Sequence, residues 1–88
     1  MITPQQTQEI AAKITVLGVD ETTVSALRQQ YQSLHFTYCM DDDLPNNMPV
    51  IENKDFNLYL IDGREHCLCL TNDYEVATGI VVAEIIAD

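Results

Sequence analysis

Two spacings of apolar residues divide the chain. Up to Leu34 they recur every three or four positions, and from His35 onward they alternate. In the first part, Ile10, Ile14 and Leu17 fall at i, i+4 and i+7 and trace one stripe of a helix. Thr3-Pro4-Gln5-Gln6 opens it. Thr3 can cap, Pro4 lacks an N–H that would be unpaired at the first helical position anyway, and Gln6 stands at the capping-box position. Gly18 is a natural left-handed terminator. Asp20 can cap a second helix, with Val19 and Val24 placed as a hydrophobic staple. Val24, Leu27, Tyr31 and Leu34 continue the apolar stripe, while Arg28, Gln29, Gln30 and Gln32 face out. So short a connection predicts an antiparallel αα-hairpin.

In His35-Phe36-Thr37-Tyr38-Cys39-Met40 the period is two: Phe36, Tyr38 and Met40 share one face, and His35, Thr37 and Cys39 the other. Asp41-Asp42-Asp43 ends this strand, and Pro45, Asn46, Asn47 and Pro49 make a loop. Residues 56–61 and 66–70 read as two more strands, with Asp62-Gly63 as a hairpin signal between them. Placing Phe56, Leu58, Leu60, Leu68 and Leu70 on one face requires an odd loop, and Ile61-Asp62-Gly63 supplies one. Asn72 and Glu75 form a capping pair around a short turn through Tyr74 and Ala77. Residues 80–86 are rich in β-branched side chains and read as a final strand. The competing reading is one helix from Asp73 to Ile86, since Val76, Ile80 and Ala83 have helical spacing, but Gly79 in its middle would cost about 1 kcal/mol. The sum is a single α+β domain spanning residues 1–88. A helical hairpin packs on one face of an antiparallel sheet of about four strands.

Charge narrows the partners. The 88 residues hold 14 acidic and 4 basic side chains, a formal net charge of −10. Such a chain is repelled by phosphate backbones and anionic lipid, so nucleic-acid and membrane-surface roles are disfavoured and a basic protein surface is the natural match. A hydrophobic fraction of 47% argues for a folded core. The longest apolar stretch, residues 79–83, is far short of the ~20 residues of a membrane span. No basic n-region or apolar h-region opens the chain, and Cys39, Cys67 and Cys69 make an odd count. Reduced thiols in a cytoplasm, with no cofactor, are the expectation.

Few residues suggest chemistry. Cys67 and Cys69 alternate onto one face of their strand, and Cys39 shares a face with His35. If those strands were neighbours, a Cys₃His set could hold zinc or an iron–sulfur cluster. The C-x-C spacing lacks the turn of a zinc knuckle, so small buried thiols are the simpler reading. Neither His35 nor His66 lies in a recognisable nucleophile context. Asp41-Asp42-Asp43 lacks calcium-loop spacing. It reads as a solvated acidic turn or half of an electrostatic docking patch, whose exposed charges contribute little to folding. No Gly-rich phosphate loop exists. An enzyme is therefore not expected. With helices on one side only, His35, Thr37, Cys39, Tyr59, Ile61, Cys67 and Cys69 would line a second face too apolar for water. The 44–55 loop, a second copy of the chain or a partner could cover it.

Residues 34–43, 57–68 and 77–84 resemble a family of small uncharacterised acidic proteins encoded beside bacterial nitrogen-fixation genes. The resemblance implies a bacterial cytoplasm and an accessory link to nitrogenase or its maturation, and gives no residue a role. The resulting expectation is a non-enzymatic accessory protein that acts through protein–protein contact at an acidic surface, with Asp41, Asp42 and Asp43 as the interaction residues. The alternative is a small metal- or iron–sulfur-handling protein using Cys39, Cys67, Cys69 and His35.

Overall fold

A computed structural model describes residues 2–44, 48–63 and 69–86. Helices α1 (Pro4–Leu17) and α2 (Glu21–Gln30) come first. Strand β1 (His35–Met40), a 3-10 turn (Asp41–Asp43), and strands β2 (Ile51–Glu52), β3 (Phe56–Asp62), β4 (Cys69–Thr71) and β5 (Gly79–Glu84) follow. The helix ends are made by the residues that the sequence signals. Thr3 Oγ1 accepts from the Gln6 N–H at 3.1 Å, and Asp20 Oδ1 accepts from the Thr23 N–H at 2.8 Å. Gly18 closes α1 at φ +100°, where a side chain would be strained, and its N–H reaches the Ile14 carbonyl.

The sheet is mixed and five-stranded, in the order β1-β5-β3-β2, with β4 also paired to β3. This corrects the expected antiparallel sheet, because β1 and β5 run parallel, from His35 opposite Gly79 to Met40 opposite Glu84. The reason lies in β5. Residues 79–83 are all buried, so this strand is covered on both faces and must sit inside the sheet rather than at its end. It enters between β1 and β3, antiparallel to β3 and therefore parallel to β1. The free edge of β1 is tied from α2: the Arg28 guanidinium donates to the Phe36 carbonyl from Nε at 3.2 Å and from a terminal nitrogen at 3.1 Å.

Three further expectations change. Leu70 pairs with Ile61, not with a leucine of the helix-facing side. The leucines divide between the faces because both faces have a core to fill. The helix-facing core joins Ile10, Ile14, Val24 and Leu27 to Phe36, Leu58, Leu60, Ile80 and Val82. On the other face Tyr59, Ile61, Val81 and Ala83 pack with Cys39, Leu44 and Leu70. The 72–77 turn is held by Asp73 rather than Asn72. Asp73 accepts from the Glu75 N–H through its side chain and from Val76 and Ala77 through its carbonyl, while Asn72 donates to the Met48 carbonyl. On α1, Leu17 does not complete the buried stripe. It is 59% exposed, the last helical residue before Gly18, and the buried residues are Thr7, Ile10, Ala11 and Ile14.

Candidate functional site

The acidic run is not a set of equivalent carboxylates. A strand that ends at Met40 delivers Asp41 into a 3-10 turn closed by the Leu44 N–H on the Asp41 carbonyl at 3.0 Å. The turn folds over the second face of the sheet. Asp41 Oδ1 there accepts from Tyr59 Oη at 2.8 Å and from Asn57 Nδ2 at 2.9 Å. Asn57 and Tyr59 are two apart on β3 and so share a face, while β5 lies between β3 and β1. One carboxylate thus joins the start of the turn to a strand two positions away. Asp42 and Asp43 remain exposed beside it.

This arrangement sets the chemistry around it. Burial, followed by the hydrogen bond to Asp41, pushes the Tyr59 phenol up. Burial, followed by the charges of Asp43 and Asp41, raises Cys39 above its ordinary value. A thiol that resists ionisation is a poor nucleophile and a reluctant metal ligand. On the opposite, helix-facing side of the sheet, Tyr38 Oη donates to the Glu84 carboxylate, and this hydrogen bond, helped by burial, pushes the phenol up to about 12.

The sheet order separates the residues of the alternative reading. His35 is exposed at the start of β1, and Cys39 is half-buried four residues along the same strand. Cys69 is exposed on β4, across β5 and β3 from both. Three inter-strand steps amount to about 14 Å. Cys67 and His66 lie outside the described residues, among which no group of three or more His, Cys, Asp or Glu side chains could hold a metal ion.

Two concavities accompany these features. A cavity of about 210 Å³ lies on the second face beside Leu44, Ile61, Leu70 and Val81. A larger depression of about 430 Å³ lies on α1, lined by Glu9, Ala12, Lys13, Val16 and Leu17. Its polar wall is braced by a knot between the helices. Tyr31 Oη donates to Glu9 at 2.5 Å and accepts from Lys13 Nζ at 2.8 Å, and the ammonium lies 4.8 Å from the Tyr31 ring centre. Sequence reasoning missed both Asp41's partners and this helix face. Nothing local in Asn57 or Tyr59 announces a carboxylate 16 or 18 residues away. The helix face did carry a signal, the pair Val16-Leu17 standing directly before a terminator glycine.

No helix among the described residues is long and apolar enough to cross a membrane. Comparison with curated proteins and with solved structures finds no match. Residues 10–85 match DUF6129, a family of unknown function, and the chain belongs to that family.

Proposed function

We propose that the protein is a non-enzymatic accessory module that binds another protein through its acidic surface. The observation that carries this reading is the pair Asp42 and Asp43, exposed on a turn whose first residue, Asp41, is fixed to β3. A rigid mount presents two carboxylates without the entropy loss of ordering a loop on binding. Two of the four basic side chains are already engaged with other groups. Lys13 is engaged by Glu9 and Tyr31, and Arg28 by Glu21 and the Phe36 carbonyl. A net charge of −10 therefore favours a partner with a basic surface and accelerates its approach. The resemblance to proteins encoded beside nitrogen-fixation genes supports a bacterial cytoplasm and an accessory link to nitrogenase or its maturation as the setting.

The test is capture of the partner from extract of the native cell, followed by binding kinetics on the purified pair. Changing Asp42 and Asp43 together to Asn should slow association several-fold and leave dissociation nearly unchanged, as rim charges act mainly on the on-rate. Raising salt from about 0.1 M to about 1 M, which shortens the Debye length from about 10 Å to about 3 Å, should do the same to the unaltered protein. An association rate indifferent to salt would remove the electrostatic reading.

A further inference from the structure

We infer that the outer face of α1 docks an amphipathic helix of the partner protein, one that carries basic residues beside its apolar stripe. The inference rests on the reading of the protein as an acidic interaction module, and it names the anchoring surface and the form of the partner. Ala12, Val16 and Leu17 lie on the side of α1 turned away from the sheet, and Val16 is 83% exposed. Glu9, Ala12, Lys13 and Val16 stand at i, i+3, i+4 and i+7, the four positions that frame a hole for one side chain of a facing helix. Ala12 gives the hole a shallow floor. The Lys13 ammonium is held aside by Tyr31 and Glu9, so its methylenes rather than its charge border the depression.

Charge selects the occupant. At the Leu17 end, the last turn of α1 contains no basic residue, leaving the partial negative charge of its carbonyls uncompensated. The Asp20 carboxylate lies just beyond, 4.0 Å from where a side chain on Gly18 would begin. An aliphatic side chain in the hole with a lysine or arginine following it would meet both demands of the surface. A second copy of this chain brings ten further negative charges and the same uncompensated helix end, so it fits worse.

The test uses three synthetic helical peptides, one of leucine and lysine, one of alanine and lysine, and one of leucine and glutamate, each titrated into isotope-labelled protein and followed by backbone amide shifts. The leucine–lysine peptide should perturb residues 9–20 first. Val16→Asp should weaken it by about tenfold, the effect of losing one aliphatic anchor. Because Val16 is exposed, the variant should stay folded, with only a small loss from an acid beside the negative helix end, and Ala12→Leu, which fills the hole, provides an independent second block. The alanine–lysine peptide should bind more weakly and without preference for α1. Shifts centred on Asp42 and Asp43 alone, or unchanged affinity in both variants, would overturn the α1 site while leaving the acidic-surface reading intact. Failure of both cationic peptides to bind would overturn the two together. Equal binding of the leucine–glutamate peptide, or a dimer in sedimentation that Val16→Asp dissociates, would overturn the basic occupant.

Discussion

Asp41 and its two neighbours share a side-chain type and differ in what their loss does. Removing the Asp41 carboxylate strands the Tyr59 hydroxyl and the Asn57 amide against the second core. Asp41→Ala should therefore cost about 1–3 kcal/mol, the penalty for leaving such groups without their acceptor. The Asp42→Asn, Asp43→Asn double variant should stay within about 0.5 kcal/mol of the parent. Urea unfolding of both checks the contrast, and equal losses would mean that the run acts as one patch. Tyr38 gives a second prediction. Its folded value of about 12 lies above that of an ordinary phenol, so the folded state holds the proton longer than the unfolded chain. The stabilisation is thus fully present below about pH 10, the phenol's unfolded value, and is lost as pH rises toward the folded value. Tyr38→Phe should flatten the decline of stability across that alkaline window, measured by urea midpoints at successive pH values.

At the level of elements, the contact between β1 and β5 depends on one missing side chain. A Cβ on Gly79 would lie 2.5 Å from the His35 carbonyl oxygen and 2.8 Å from its Cβ. Backbone, not a flexible tip, is in the way, so the two parallel strands would have to separate. Gly79→Ala should cost about 3 kcal/mol or more, at the upper end of what overpacking does, visible as a lowered denaturant midpoint. The helices are the contrasting case. Their starts and stops depend on Thr3, Asp20 and Gly18 within a few residues of the backbone groups they satisfy, and all three act where the sequence places them.

On the scale of the whole molecule, charge works against a compact shape. The radius of gyration is 11.9 Å, close to the ~12 Å typical of a folded domain of this length. Confining a net charge of −10 in that volume produces self-repulsion. Raising sodium chloride from about 10 mM to about 150 mM shortens the Debye length from about 30 Å to about 8 Å and should raise the melting temperature. Calorimetry at the two salt concentrations measures it, and a fall would show that surface ion pairs outweigh the repulsion.

The sequence by itself determined whatever rests on neighbours along the chain. Helix caps, the change of period at His35, the faces of β1 and β3 and the surplus of acid are all local or additive, and each was legible. Two signals were legible but left unused: the unbroken apolar run of β5, which marks a strand covered on both faces, and Val16-Leu17 before Gly18. Only the tertiary structure decided the parallel pairing of β1 with β5, the transfer of Leu70 to the second face and the separation of Cys39 from Cys69, because sheet order and register depend on contacts between distant segments. It also divided the acidic run. Three adjacent aspartates are alike until the fold brings Asn57 and Tyr59 to one of them, and no spacing within the run encodes which one.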